Sequence, residues 1–187
     1  MLALNELTYR LGARLLIDNA IIALPNGARC GLVGRNGCGK STLFRLLLGE
    51  IAPESGTFGL PRGAKMGHVA QEAPGGPISL LDYVLAADTE RTALLEEAET
   101  ATDATRIADI QMRLYDIGAH AAPARAGAIL AGLGFSAEDQ ARPCSDFSGG
   151  WRMRVSLAAM LFLEPDMLLL DEPTNYLDPA FPKWRVV

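Results

Sequence analysis

Apolar residues in the first 33 positions come in short runs punctuated by turn residues. "LALNELTYRL" alternates in part, "NG" at 26–27 marks a turn, and "ARCGLVG" is a brief apolar stretch that enters glycines. Strands and turns are expected there. From Lys40 the period lengthens: Leu43, Leu46 and Leu47 in "KSTLFRLLLG" share one helical face, and Gly49 stands at a C-cap position. The order is strand, glycine loop, helix. Residues 53–78 are rich in Gly and Pro with short β-like runs such as "AKMGHVAQ", which predicts irregular sheet and loop. From Ser79 to about Ala131 helical spacing returns, in Leu81, Val84 and Leu85, in Leu94, Leu95 and Ala98, and in Ile107, Ile110, Leu114 and Ile117. Charges between them (Glu90, Arg91, Glu96, Glu97, Arg106, Arg113) read as a solvated helix surface. After "RPCSDFSGG" a helix over about 150–162 leads to a strand over 167–170.

Composition narrows the class. With 187 residues, 49% hydrophobic and 21% charged, the chain has enough apolar content for a buried core. A net charge of −5 argues against a protein held to nucleic acid by bulk positive charge. Cys30, Cys38 and Cys144 are odd in number and widely spaced, which suggests neither a disulfide framework nor a zinc site and points to a reducing cytosol. The N-terminus lacks an export signal pattern. The most apolar stretch, "VSLAAMLFLEPDMLLL", is interrupted by Glu164, Pro165 and Asp166 and falls short of a membrane span. A soluble, cytoplasmic chain without a transmembrane segment is expected.

The chemistry sits in two places. "GRNGCGKST", residues 34–42, fits G-x-x-x-x-G-K-[ST] between an apolar run and an amphipathic helix. Gly34, Gly37 and Gly39, with Arg35, Asn36 and Cys38 between them, let the backbone turn N–H groups toward a phosphate. The helix N-terminus adds partial positive charge, and Lys40 brings a formal cation to the β- and γ-phosphates. Ser41 is the candidate hydroxyl ligand of Mg²⁺, Thr42 a donor to phosphate, and Cys38 a small filler. The second place is "MLLLDEPTN": Leu168–Leu170 read as a central strand of a parallel sheet whose carboxyl end delivers Asp171 to the metal shell and Glu172 to the attacking water.

Further stretches carry a resemblance. "DFSGGWRMRVSLAAMLFLEPDMLLLDEPTNYLD" resembles the signature and second nucleotide motif of ATP-binding cassette (ABC) ATPases, with "FSGGW" in place of the commoner LSGGQ. "VAQE" at 69–72 resembles their glutamine loop, and "DEPTNYLD" resembles the soluble ABC-F branch, whose members carry two cassettes and act on ribosomes. The resemblance implies an α/β P-loop cassette over residues 1–178, with an N-terminal antiparallel β part, a parallel core sheet and a helical subdomain over 79–148. It implies ATP and Mg²⁺ as cofactors, with Gln71 as a sensor of metal and water. Ser148, Gly149 and Gly150 would clamp the γ-phosphate of ATP held by a second cassette in a head-to-tail dimer, and Asp178 would be the acid communicating across that interface. The ribosome is the implied partner and ATP hydrolysis the implied activity. The alternatives are a nucleotide-binding module without turnover and the ATPase subunit of a transporter.

Departures from the pattern also set expectations. Leu11, before Gly12, holds the place where the family stacks adenine on an aromatic, so Tyr9 on the same strand is the candidate substitute; an ordinary half-buried strand tyrosine is the other reading. Tyr176 stands where a histidine is common. His68 and His120 are the chain's histidines, and neither matches the family's switch histidine. Residues 179–187 therefore read as an abnormal tail on a core incomplete at the C-terminus, and an exposed apolar edge is expected along 167–170.

Overall fold

The computed structural model describes residues 1–61, 63–69 and 75–171. Gln71, Glu172, Tyr176, Asp178 and the tail over 179–187 lie outside the described residues. The chain divides into two compact units, Met1–Met66 and Gly67–Val187.

The first unit opens with a hairpin. β1 (Leu2–Leu11) pairs antiparallel with β2 (Arg14–Leu24), turning at Gly12 and Ala13, and β3 (Ser55–Gly59) pairs antiparallel with β1 on its other side. The partial alternation of β1 has a structural cause. Register shifts fall between Leu4 and Leu7, Leu7 and Tyr9, and Tyr9 and Arg10. Bulges of this kind break the two-residue period, so Leu2, Leu4 and Leu7 are all buried although their spacing is uneven. Helix α1 (Lys40–Leu47) buries Leu46 and Leu47. It ends on a Schellman pair in which Gly49 N–H donates to Leu46 C=O at 3.0 Å and Glu50 N–H to Arg45 C=O at 2.9 Å.

The expected strand over "ARCGLVG" is a correction. Residues 28–35 form no ladder, and Val33 is 94% exposed. The apolar run is there, but a strand exists only through its partners, and among the described residues none pairs with it.

β4 (Met66–His68), which begins at the last residue of the first unit, and β5 (Met167–Leu169) make a two-stranded sheet, and the other regular elements described in the second unit are helical. The apolar edge expected at 167–170 is not exposed. Leu169 is buried and Met167, Leu168 and Leu170 are half-buried, whereas adjacent apolar residues are exposed in the first unit at Ile21 and Ile22 and at Leu32 and Val33. Helices α2 (Leu80–Ala86), α5 (Ala122–Gly132) and α7 (Gly149–Phe162) surround a core of Leu80, Val84, Ala126, Leu130, Val155 and Phe162, among others. Helices α3 (Thr89–Thr100) and α4 (Ala104–Asp116) form a hairpin around Ile110, Leu114 and Ala119, with Leu94, Ala98 and Ile117 against them. Ile107 and Leu95, expected on the inner face, are exposed.

The charges on this hairpin do more than solvate it. Arg106 reaches both carboxylate oxygens of Glu97, at 2.6 and 2.7 Å, and Arg113 reaches Glu90 at 2.6 Å. These pairs join α3 to α4, and the Arg106 hydrogen bond holds the Glu97 carboxyl below its ordinary value.

Candidate nucleotide-binding site

The glycine loop is built by the backbone. Cys38 N–H donates to Arg35 C=O at 3.2 Å and closes a turn through Asn36 and Gly37, where Gly37 has φ +76°. Gly39, the N-cap of α1, has φ +108°, a conformation that costs an L-residue about 1–2 kcal/mol. Two positive-φ positions within three residues explain why the loop needs glycine at 37 and 39. Cys38 folds back across the loop: its Sγ lies 2.6 Å from where a Cβ on Gly34 would sit. It acts as the filler its size suggests, with an exposed thiol.

Lys40 closes the cradle. Its Nζ donates to the carbonyls of Gly34 at 3.0 Å and Arg35 at 3.2 Å, so the ammonium is pinned over the loop by two of its three donors. No side chain caps α1, and the first N–H groups of a helix have no intrahelical acceptor. Loop, ammonium and helix end thus form one anion-binding concavity of positive character. Ser41 and Thr42 follow in the first turn of α1.

The two strand positions considered for base stacking differ. Leu11 is 63% exposed at the hairpin end, whereas Tyr9 is half-buried and paired with Ile17 across the ladder. The register shift between Tyr9 and Arg10 places its extra residue, Leu16, on β2, so β1 keeps its alternation from Tyr9 to Leu11 and the two positions share a strand face.

In the second unit, Ser148 is the exposed N-cap residue of α7, with Gly149 and Gly150 as its first two helical positions. Its side chain makes no capping bond. Asp171 is half-buried just beyond β5. The Ser41 hydroxyl and the Asp171 carboxylate, each taken by itself, are hard oxygen donors of the kind that suits Mg²⁺.

Among the described residues, the α-helix starts fall into three sets. α2, α3, α4 and α6 (Ala137–Gln140) are capped by the side chains of Ser79, Asp88, Asp103 and Ser136. α5 has no side-chain cap and carries proline in its first turn. α1 and α7 have neither device, and they are the helices that begin at the two glycine motifs.

Comparison with known proteins agrees with this geometry. The ABC transporter family model matches residues 17–175. The chain belongs to the ATP-binding cassette family. Among its relatives, it is 46% identical over 181 residues to "Probable ATP-binding protein YheS" of Escherichia coli K12, covering 95% of this chain and 28% of that protein. It is 44% identical over 184 residues to ATP-binding cassette sub-family F member 3 of Mus musculus, covering 92% and 25% respectively. The cassette therefore spans about a quarter of the length of these curated relatives. Solved structures share the fold. An ATP-binding subunit of an ABC transporter superposes with a TM-score of 0.69 at 18% identity, covering 96% of this chain and 69% of that one. A dimeric cassette in a post-hydrolysis state bound to ADP and Pi superposes with a TM-score of 0.64 at 21% identity, covering 96% and 77%. Among the described residues, no helix of the cassette is long and apolar enough to cross a membrane.

Sequence reasoning missed Phe135. It sits in "GLGFSAED", immediately before the Ser136 and Asp139 capping box, and touches both aromatic side chains that flank Ser-Gly-Gly. The aromatic pair Phe147 and Trp151 was visible in the sequence, but their spacing does not point to Phe135, which packing alone brings to them.

Proposed function

We propose that this cassette binds Mg²⁺-ATP in the 34–42 loop and hydrolyses it when paired head to tail with a second cassette, in the service of an action on the ribosome. The observation that carries the proposal is the Lys40 ammonium pinned on the Gly34 and Arg35 carbonyls at the open end of α1. A cation and an uncapped helix end are matched to the charge of a triphosphate.

The backbone of Gly34, Arg35, Asn36, Gly37, Cys38 and Gly39 wraps the phosphates, while Lys40 neutralises the β- and γ-oxygens. Thr42 donates its hydroxyl to a phosphate oxygen. Ser41 and Asp171 hold the metal, with Gln71 beside it; when bound, Mg²⁺ withdraws electron density from the phosphates and orients them. Glu172 orients the water that attacks the γ-phosphorus. Tyr9 and Leu11 offer the apolar surface for the base. Ser148, Gly149 and Gly150, presented by the opposing cassette, supply a hydroxyl, N–H groups and the uncapped α7 end to the γ-phosphate, and Asp178 links the two halves. Support for the ribosomal partner comes from the F-branch relatives and from "DEPTNYLD".

The test is turnover by the purified chain beside Glu172→Gln and beside a copy extended into a full cassette. Mg²⁺-ATP hydrolysis that disappears in Glu172→Gln while nucleotide binding persists is the expected result. Turnover unchanged by that substitution refutes the assigned role, and absence of ATP binding refutes the reading as a whole. Sedimentation with ribosomes in ATP, compared with ADP, tests the partner.

A further inference from the structure

The signature helix starts under unfavourable conditions. α7 has no side-chain cap, glycine at its first two positions and no acidic residue in its first turn. Each interior glycine costs a helix about 1 kcal/mol relative to alanine, and a missing cap costs a similar amount. Something else must hold this turn.

Three aromatic rings do so. Phe135, in the connection between α5 and α6, is 2% exposed. It receives Phe147 edge-on, with centroids 5.7 Å apart at 81°, and Trp151 with centroids 5.1 Å apart at 65°. Phe147 precedes Ser148 and Trp151 follows Gly150, so the two rings bracket the Ser-Gly-Gly segment and close on one buried side chain. Guanidinium groups complete both ends. Arg142 lies 4.7 Å over the Phe147 ring and Arg154 lies 4.3 Å over Trp151. Arg142 is itself held by Asp139 at 3.0 Å and Asp146 at 3.5 Å. The resulting stack, Arg142–Phe147–Phe135–Trp151–Arg154, ties the start of α7 to α6 and to the loop before it, without using the Ser148 hydroxyl.

We propose that this aromatic clasp fixes the signature turn, and that Phe135 and Trp151 are positioning residues for γ-phosphate recognition by Ser148–Gly150. The inference rests on the cross-cassette reading given above. Its physical logic is a separation of roles: a conventional cap would consume the N–H groups and the serine oxygen that the phosphate needs. Side-chain packing behind the turn holds the same backbone and leaves those groups to the ligand. The tryptophan that stands where glutamine is commoner belongs to this support.

The test uses the full 187-residue chain in a Glu172→Gln background, so that bound ATP persists. Amide hydrogen exchange over 152–154, the first amides of α7 with an intrahelical acceptor, is compared among the unmodified sequence, Trp151→Gln, Phe135→Leu and the conservative Trp151→Phe. ATP affinity is read with a fluorescent ATP analogue, and ATP-driven self-association by sedimentation. For Trp151→Gln, exchange at 152–154 should quicken about tenfold while 155–162 stays unchanged, since an aromatic pair is being removed from one turn. Association should weaken by a similar factor, with ATP affinity unaltered, and Trp151→Phe should restore both.

Unchanged exchange at 152–154 overturns the clasp. Exchange that rises uniformly along α7, or that rises without any loss of association, reduces the rings to ordinary core packing and overturns the positioning role. If the background chain binds ATP but never associates, the cross-cassette reading falls and takes the positioning role with it; the exchange comparison still decides whether the clasp holds the turn.

Discussion

Two helix starts in this protein face the same physical problem and meet it in opposite ways. Both α1 and α7 begin with glycine and without a side-chain cap, and both are assigned to phosphate. At α1 the loop holds itself: positive-φ glycines at 37 and 39, the Cys38-to-Arg35 turn and the Lys40 bonds to two carbonyls are all local in sequence. At α7 the support comes from Phe135, twelve residues upstream of Phe147, and from the guanidinium of Arg142 in the connection that follows α6. An anion site can thus be built within one short loop or borrowed from packing behind it. The first kind depends on backbone conformation and one cation, the second on side-chain volume and ring geometry.

The comparison can be broken most forcefully in the core behind α7. Phe162 is 1% exposed and lies under the Arg125 guanidinium at 4.6 Å. Phe162→Ala should cost about 3–5 kcal/mol in a urea melt, the range for truncating a buried phenylalanine. Val33→Ser near the cradle, at a side chain 94% exposed, should stay within about 0.5 kcal/mol. Equal losses at the two positions would mean that Val33 is buried in solution.

Lys40→Ala probes the other side. Loss of a charged hydrogen-bonding group should weaken ATP about 10- to 100-fold in a titration while leaving the melting temperature nearly unchanged. A large fall in melting temperature would show that Lys40 acts mainly by stabilising its own loop.

A smaller effect separates capped from open helix ends. Ser79 accepts the Asp82 N–H at 3.0 Å, so Ser79→Ala should destabilise by about 1 kcal/mol. Ser148→Ala should change stability by less than about 0.5 kcal/mol, because its side chain makes no capping bond. It should nevertheless impair ATP-driven association. Chemical denaturation of the two variants side by side checks both statements.

The smallest effect is pH dependence in the α3–α4 hairpin. Glu97 is held below its ordinary 4.5 by the Arg106 hydrogen bond, and Asp139 below 3.8 by the Ser136 hydroxyl. A carboxyl whose folded pKa is depressed contributes stability above its unfolded value and loses it as pH falls through the folded one. Melting temperature should therefore decline below about pH 4.5, and the Glu97→Gln variant should decline less over that interval. Identical profiles would exclude the pair as a contributor.

Much of this was readable in order along the chain. The cradle is local: its turn, its helix and its lysine lie within a dozen residues, so spacing alone locates them. The helical subdomain is legible through its periodicity, and α7 and β5 begin and end within a residue of expectation. The strand expected over 28–33 failed because an apolar run states what a segment is able to do, whereas a strand requires a partner from elsewhere. Ile107 failed for a related reason. Helical spacing defines a face, but Ile110 and Leu114 face α3 and Ile107 does not.

Sequence by itself determined the family, the glycine loop and the residue types proposed to meet nucleotide, because these depend on short-range geometry and on chemistry carried by single side chains. Tertiary structure alone decided what supports the signature turn, which charges join α3 to α4, and that Leu32 and Val33 lie exposed. Each of those is a meeting between segments distant along the chain or the lack of one, and is set by packing in three dimensions, which one-dimensional spacing does not encode.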